Sequence, residues 1–132
     1  MLIRVYYEDT DAAGVVYHSN YLNYCERART EYLRERGHSV AALAADGAVL
    51  PVVRMEIDFR LPARHDDLLR VLTVPVRVGG SSFTLRQQIR RDHDDHLLVE
   101  LLVTLACVTP ELKARRIPAA IRELLAAEVA AC

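Results

Sequence analysis

Four segments with strand-like patterning follow one another between residues 52 and 108, and only short turns separate them. The first, Val52–Leu61, alternates almost strictly between apolar and charged side chains, which is typical of a half-buried strand. Turns as short as Gly79-Gly80 join antiparallel strands, because a parallel crossover needs about a dozen residues or more. The pattern therefore predicts a meander of antiparallel strands.

The other predicted strands carry signals of their position in the sheet. Pro75 cannot donate to a hydrogen-bond ladder, so it indicates an edge or a bulge in its strand. The final strand is apolar at nearly every position, as expected when both faces of a strand are covered. The predicted bounds are Leu2–Tyr7, Leu68–Val78, about Phe83 to Arg90, and about Leu97 to Val108.

One long helix is predicted between the first two strands. Ser19 and Asn20 are suitable N-cap residues, apolar side chains then recur at helical spacing, and Gly37 is the expected end. A short helix is expected at Val40–Ala45, and an amphipathic helix after Pro118 closes the chain. The order predicts an α+β fold, with an antiparallel five-stranded sheet wrapped around one long helix and a C-terminal helix.

Length and charge narrow the possible functions. The 132 residues are expected to form one domain, and 17 basic against 18 acidic residues give a net charge of -1, so nucleic acid is not an expected partner. No apolar run is long enough to cross a bilayer or to serve as a secretion signal. The cysteines, Cys25, Cys107 and Cys132, fit neither a disulfide framework nor a CxxC metal site, and we expect reduced thiols in a cytoplasmic protein.

The segment Tyr6–Tyr21 joins the end of a strand to the start of the long helix. It carries three acids in four residues, Glu8, Asp9 and Asp11, and then His18. Free backbone N–H groups at a helix start can hold a developing oxyanion, so a carboxylate beside them is a candidate catalytic arrangement. Acids before a helix are more often caps or solvated turns, and a single histidine is more often structural, so these residue types alone favour the structural interpretation.

The whole segment resembles the hotdog-fold acyl-CoA thioesterases of the 4-hydroxybenzoyl-CoA thioesterase type, and within them the YbgC-type enzymes associated with the Tol-Pal envelope system. An aromatic strand end, Asp-x-Asp, a small or glycine stretch, Val-x-Tyr-His and Asn-Tyr-Leu occur in that order between Tyr7 and Leu22. Further matches occur at Glu26–Leu33, Phe59–Leu68 and Cys107–Val108. The resemblance therefore extends over nearly the whole chain.

The resemblance implies the hotdog fold and hydrolysis of an acyl-CoA thioester to a free acid and coenzyme A. It implies no cofactor beyond the coenzyme A of the substrate, and no metal is expected because the histidines show no ligand spacing except His93 with His96. Asp11, the second Asp of the pair, takes the catalytic position, either as a nucleophile or as a general base on water. The backbone N–H of His18 would polarise the thioester carbonyl, and its side chain would orient the water or the thioester. The hydroxybenzoyl enzymes have no histidine here, so the chemistry does not depend on one throughout the family.

The resemblance also implies substrate contacts. Val16, Tyr17 and Tyr21 would line the acyl pocket, although an ordinary core position explains each of them equally well. A glycine-serine turn replaces the basic turn of the hydroxybenzoyl enzymes. Ser81 and Ser82 are therefore expected to reach the coenzyme A phosphates through backbone N–H and hydroxyl groups.

Three alternatives stay open. Glu26 or Glu31 on the helix would supply the carboxylate in a second thioesterase arrangement. A binding module would hold an acyl group or an acyl carrier protein of an envelope-linked lipid system without turnover. A hydratase acting on an enoyl thioester would need an Asp and His motif on the helix, which the sequence lacks. A sheet that covers one helix leaves apolar surface, so we expect a homodimer, and the resemblance implies a homotetramer.

Overall fold

The computed structural model describes residues 1–131, so the prediction for Cys132 lies outside the described residues. One sheet contains five antiparallel strands, and a long helix lies against it. The strands are β1 (Leu2–Arg4), β2 (Val52–Phe59), β3 (Leu68–Val78), β4 (Ser82–Arg91) and β5 (Leu97–Ala106). The helices are α1 (His18–Glu35), α2 (Val40–Ala45) and α3 (Ala119–Ala131).

The core lies between α1 and the sheet. α1 buries one face, and the positions on it recur with the period of a helix: Tyr21, Tyr24, Cys25, Ala28 and Tyr32. The sheet contributes alternate buried side chains from β3, β4 and β5, as a sheet covered on one face does. The predicted α+β fold with a sheet wrapped on one long helix is confirmed. None of the described helices is long and apolar enough to span a membrane.

The strand order differs from the predicted simple meander. It is β1-β3-β4-β5-β2, so β2 pairs with β5 at the far edge rather than with β3, its neighbour in sequence. Strands are about 4.8 Å apart, which places β2 roughly 15 Å from β3 across β5 and β4. The segment 60–67 is long enough to cross that distance, since each extended residue spans about 3.3 Å. Local patterning carries no information about this long-range choice.

Several element boundaries follow from local hydrogen bonds. β1 ends at Arg4 because Tyr7–Asp9 forms a 3₁₀ turn, in which the Asp9 carboxylate accepts a bond of 2.9 Å from the Tyr6 N–H. The bulge predicted at Pro75 is confirmed, since the β3–β4 register shifts between Pro75 and Arg77. The bounds predicted for β3 and α2 match those observed.

The predicted N-cap residues of α1, Ser19 and Asn20, are wrong. The helix begins at His18 with Tyr17 as its N-cap residue, and the Tyr17 side chain makes no capping hydrogen bond to the described part of the chain. The Asn20 side chain instead donates to the Asp9 carbonyl at 2.9 Å, because the acidic loop folds back against the first turn. At the other end, α1 stops at Glu35, and Gly37 takes a left-handed conformation with φ of 85° that ends the helix.

The free edge of β2 is the least covered part of the sheet. Met55 and Ile57 pack against the core, but Val53, Phe59 and Leu61 on the predicted apolar face are 60%, 52% and 44% exposed. Within residues 1–131, β2 is an edge strand that pairs with β5 alone. The single chain therefore exposes an apolar strand edge, the kind of surface that pairs with another chain.

Candidate active site

A tight turn between β1 and α1 carries Asp11. The Asp11 N–H donates to the Val15 carbonyl at 2.9 Å, and the Gly14 N–H donates to the Asp11 carbonyl at 3.0 Å. Gly14 has a φ of 79°, which a residue with a Cβ adopts only with strain. A bridge between Thr10 and Val16 closes the turn at its base. The turn therefore holds the backbone of Asp11 in a defined place.

The Asp11 carboxylate is oriented from one side only. Its Oδ1 accepts a hydrogen bond of 2.9 Å from the Ala13 N–H, two residues along the turn. Within residues 1–131, Oδ2 has no hydrogen-bond donor and the carboxylate has no ion-pair partner. One oxygen thus fixes the side chain, and the other is available to a ligand or to water.

The first turn of α1 presents backbone donors at the same place. The Asn20 N–H bonds back to the Tyr17 carbonyl at 2.8 Å, whereas the N–H groups of His18 and Ser19 have no acceptor in the described part of the chain. Open N–H groups at a helix start carry partial positive charge and bind anionic oxygens. The Asp9 carbonyl holds this turn in position by accepting from the Tyr17 N–H at 2.9 Å.

A cavity of about 340 Å³ joins these two features. It brings together four residues singled out from the sequence, Asp11, Val16, His18 and Tyr21. The rest of its wall is made by Val15 and the segment 59–62. A carboxylate oxygen and the amino end of a helix therefore face one largely apolar cleft, the arrangement needed to bind a carbonyl group and attack it.

Tyr21 lines this cleft with a phenol group that stays protonated. It is only 3% exposed, and its hydroxyl oxygen accepts a hydrogen bond of 3.0 Å from the Ala63 N–H. Burial raises the pKa of Tyr21 above its usual value, although the Ala63 N–H acts in the opposite direction. The Val16 N–H donates to the Ala63 carbonyl at 2.8 Å. Ala63, in the segment that follows β2, therefore bonds to two residues of the cleft wall, Val16 and Tyr21.

The His18 imidazole is held by aromatic neighbours. It is exposed, and its ring lies 4.5 Å from the Tyr17 ring and 6.5 Å from the Phe59 ring, measured between centroids. Tyr17, expected to line the acyl pocket, is 48% exposed and lies beside His18 rather than in the cavity wall. The imidazole is thus placed at the mouth of the cleft.

Ser81 and Ser82 are not brought to this cleft within one chain. They lie at the β3–β4 turn. Ile89 is seven positions further along β4 than Ser82, and it pairs with Val99 at the Phe59 end of the sheet. At about 3.3 Å per residue, that is roughly 23 Å along the strand. The Ser82 hydroxyl accepts a hydrogen bond of 3.0 Å from Arg77.

The other candidate groups lie elsewhere. Glu26 lines a separate cavity on α1, and Glu31 forms an ion pair with Arg34, so neither alternative carboxylate shares the cleft with Asp11. Within residues 1–131 no group of His, Cys, Asp and Glu side chains has the geometry of a metal site. Sequence reasoning gave no role to Phe59, Arg60, Leu61 and Pro62, which reach the cleft only through the position of β2 at the far edge of the sheet.

Sequence comparison groups this chain with thioester-cleaving enzymes. Residues 13–97 match the family described as the thioesterase superfamily. The acyl-CoA thioester hydrolase YbgC of Escherichia coli O157:H7 is 42% identical over 120 residues, which cover 90% of this chain and 89% of that protein. The acyl-CoA thioesterase YbgC of Haemophilus influenzae is 43% identical over 107 residues, covering 80% and 77%.

Solved structures show the same architecture. A 1,4-dihydroxy-2-naphthoyl-CoA thioesterase from Synechocystis superposes with a TM-score of 0.89 at 27% identity, covering 96% of this chain and 93% of that one. A probable thioesterase from Bartonella henselae has a TM-score of 0.83 at 39% identity, covering 89% and 97%. The hotdog fold expected from the sequence is therefore confirmed.

Proposed function

Because the chain belongs to the thioesterase superfamily and is an acyl-CoA thioester hydrolase, we propose that Asp11 and the amino end of α1 act together on the thioester carbonyl. One observation carries this proposal. The Asp11 carboxylate, with Oδ2 unbonded within the described chain, lines the same cavity as His18 at the open start of α1. A carbonyl bound there meets a base or nucleophile on one side and hydrogen-bond donors on the other.

The reaction needs charge stabilisation on the carbonyl oxygen. When the carbonyl carbon is attacked, its oxygen becomes negative, and the free N–H groups of His18 and Ser19 would stabilise that charge by donating hydrogen bonds to it. One such donor is typically worth about 3 to 4 kcal/mol of activation free energy. The carbon-sulfur bond then breaks, coenzyme A leaves as a thiol after taking up a proton, and water supplies the new oxygen of the acid.

Asp11 Oδ2 serves either of two roles. As a general base it removes a proton from water as the water attacks, and as a nucleophile it forms a mixed anhydride that water then opens. Label that enters the Asp11 carboxylate during turnover in ¹⁸O-labelled water would identify the nucleophile role. A general base leaves the label only in the released acid, whereas water attack on the Asp11 side of an anhydride puts label into the Asp11 carboxylate, which mass spectrometry detects.

We propose a homodimer through the free edge of β2. Antiparallel pairing of two β2 strands would extend the sheet and cover Phe59 and Leu61. It would also set the Val52 end of one strand beside the Phe59 end of the other, which brings the partner's β3–β4 turn towards the Asp11 cleft. In that arrangement Ser81 and Ser82 would contact the coenzyme A of a substrate bound by the other subunit.

A thiol-trapping assay across acyl-CoA chain lengths tests the proposal. Asp11→Asn keeps an oxygen for the Ala13 N–H, so the turn is expected to survive while thiol release falls by about 100- to 10,000-fold. Glu8→Gln is the matched control, because Glu8 is a nearby exposed acid outside the cleft, and it should retain activity. Retained turnover in Asp11→Asn, or its loss in Glu26→Ala or Glu31→Ala instead, would overturn the assignment. Saturable acyl binding without thiol release by the wild-type protein would indicate a binding module.

A further inference from the structure

A second cavity lies between α1, α2 and the inner face of the sheet. Its volume is about 250 Å³, and it shares no wall residue with the Asp11 cleft. Most of the wall is apolar, formed by Leu33, Val40, Leu50, Phe83, Leu85 and Leu105. The cavity is therefore a separate space suited to a hydrocarbon chain.

Arg29 is the cationic group in this wall, and a buried polar network holds it. Its Nη1 donates to Oε1 of Gln87 at 3.1 Å. Gln87 is 0% exposed, and its Nε2 donates to the Cys25 carbonyl at 3.0 Å and to the Thr73 hydroxyl at 3.1 Å. Because both ends of the Gln87 amide are satisfied, Gln87 fixes the position of the guanidinium.

The Arg29 guanidinium forms no direct ion pair within residues 1–131. Within residues 1–131 no carboxylate lies within 4.0 Å of its nitrogens, and one of its five N–H donors is used. Burial lowers the pKa of Arg29, while the charge of Glu26 acts in the opposite direction. The guanidinium stays ionised at neutral pH, because the pKa of an arginine lies far above it. A partly buried cation that no carboxylate contacts directly still has N–H donors to offer, so an anionic ligand at this point would be stabilised.

We infer that this cavity binds a carboxylate at the end of an apolar chain of medium length, with the carboxylate against Arg29. A water takes up about 30 Å³ in the liquid, so the cavity has room for roughly eight water-sized groups. A methylene group is of similar size, which matches a chain such as that of octanoate or decanoate. Such a carboxylate belongs either to a free fatty acid or to the distal end of a dicarboxylic acyl group, and the second source rests on the proposed function.

The charge of Glu26 is expected to weaken binding of a carboxylate at Arg29. Glu26 is exposed at the rim of the cavity, three residues before Arg29 on α1. Its negative charge opposes an anion bound at Arg29. Glu26→Gln is therefore expected to tighten carboxylate binding several-fold, and weaker binding in this variant would contradict the proposed position of the ligand.

Calorimetric titration with decanoate and 1-decanol tests the site. The wild-type protein should bind decanoate at least tenfold more tightly than the alcohol of the same length, and Arg29→Gln should abolish that difference. Arg27→Gln is the matched control, because Arg27 is an exposed arginine on the same helix outside this cavity. Equal binding of the acid and the alcohol by the wild-type protein, or unchanged decanoate affinity in Arg29→Gln, overturns the inference.

A second variant guards against misfolding of Arg29→Gln. Val40→Trp fills the cavity from α2, where Val40 is 40% exposed, and leaves the Arg29–Gln87 bond untouched. Val40→Trp should abolish binding of both decanoate and 1-decanol with little change in melting temperature. If this variant still binds decanoate, the ligand lies elsewhere and the inference is overturned. Asp11→Asn should bind decanoate like the wild-type protein, so failure of the catalytic proposal is distinguishable from failure of this one.

The two sources of the carboxylate are separated by kinetics. If the distal carboxyl of an acyl group enters the cavity, Arg29→Gln lowers kcat/KM for an ω-carboxydecanoyl-CoA by at least tenfold more than for decanoyl-CoA. If a free fatty acid is the ligand, the ratio of the two kcat/KM values stays constant while decanoate affinity falls. Either result supports a carboxylate site at Arg29, and a variant that changes neither quantity contradicts it.

Discussion

The Tyr21 hydroxyl oxygen lies 3.0 Å from the Ala63 nitrogen and accepts its hydrogen bond in a buried position. This contact ties the first turn of α1 to the segment that follows β2. That segment and α1 both contribute to the wall of the Asp11 cleft, so this bond helps to hold the cleft in shape together with the Val16 N–H bond to the Ala63 carbonyl. Tyr21 is therefore a buried core residue that also lines the cleft, and its role in acyl binding stays a prediction.

Replacing Tyr21 by Phe removes the acceptor and leaves the Ala63 N–H buried without a partner. We expect a loss of about 1 to 3 kcal/mol in the free energy of unfolding, the usual penalty for such a group, together with reduced kcat/KM. Urea denaturation and thiol-release kinetics measure the two effects. Tyr7→Phe is the control, since Tyr7 is 79% exposed and its hydroxyl faces water. Equal stability of the two variants would contradict the role of the contact.

Position 18 offers a direct test of the backbone donor. Proline is well accepted at the first position of a helix, and Tyr17 already has φ of -62° and ψ of 132°, which suits a residue before proline. His18→Pro removes both the imidazole and the N–H, whereas His18→Ala removes only the imidazole. We expect kcat to be about 100- to 1000-fold lower in His18→Pro than in His18→Ala, because only the former lacks the donor. Equal rates in the two variants would exclude this N–H from the reaction.

Gly14 is required for its backbone conformation alone. A Cβ at this position would meet no atom within 4 Å, so any effect of a substitution comes from the φ of 79°. Gly14→Ala is expected to cost about 1 kcal/mol in stability and to shift the Asp11 turn, which lowers kcat. Gly14→Asn should be less damaging, since asparagine is among the residues that tolerate this region best. Thermal unfolding and steady-state kinetics of the pair test the ordering.

Local patterning predicted most elements because their signals are contained within each element. β3 and α2 follow from alternation, helical spacing and turn residues next to them, and the bulge follows from the missing N–H of Pro75. The start of α1 was misjudged because residue type alone favours Ser19 and Asn20 as caps. The Asn20 side chain is instead drawn to the Asp9 carbonyl, a contact that exists only after the loop has folded.

The site could be predicted only in part. Asp11 and His18 came from the resemblance of a continuous segment, and the structure brings them to one cavity. Phe59 and Leu61 in the same cavity were missed, because their presence there depends on β2 pairing with β5 across the sheet. No spacing within β2 encodes that partner. Residues brought together by long-range strand order are thus the part of a site that sequence patterns leave out.

The free edge of β2 predicts how assembly can be broken. The Arg60 N–H donates to the Leu98 carbonyl, and since bonded pairs alternate along an antiparallel ladder, the Ile57 N–H points to the open edge. Ile57→Pro removes that donor and should shift the protein towards the monomer. Ile57→Ala loses similar packing but keeps the N–H, so it should remain assembled. Light scattering at matched concentrations distinguishes the two, and an assembled Ile57→Pro variant would contradict pairing through β2.

Glu128 on α3 gives the fold a pH-dependent contact. Its carboxylate accepts hydrogen bonds from the Tyr32 hydroxyl and from Nε of Arg36, which fasten α3 to the end of α1. Burial alone would raise the pKa of Glu128, but the bonds from Arg36 and Tyr32 outweigh it and lower the pKa. A carboxyl group whose pKa is lower in the folded state stabilises that state above the pKa of the unfolded chain, about 4.3, and loses the contribution as the pH falls through the folded value.

Glu128→Gln should therefore be less stable than the wild-type protein at pH 7 by about 1 kcal/mol, a value reduced for the partial exposure of the pair. The difference should shrink as the pH is lowered below about 4.3, because the wild-type carboxyl group then becomes neutral like the amide. Glu123→Gln provides the control, since Glu123 is an exposed acid on the same helix without an ion pair among residues 1–131. Urea denaturation of the three proteins across this pH range measures the effect, and a Glu128→Gln deficit that stays constant with pH would show that the carboxylate charge is not its origin.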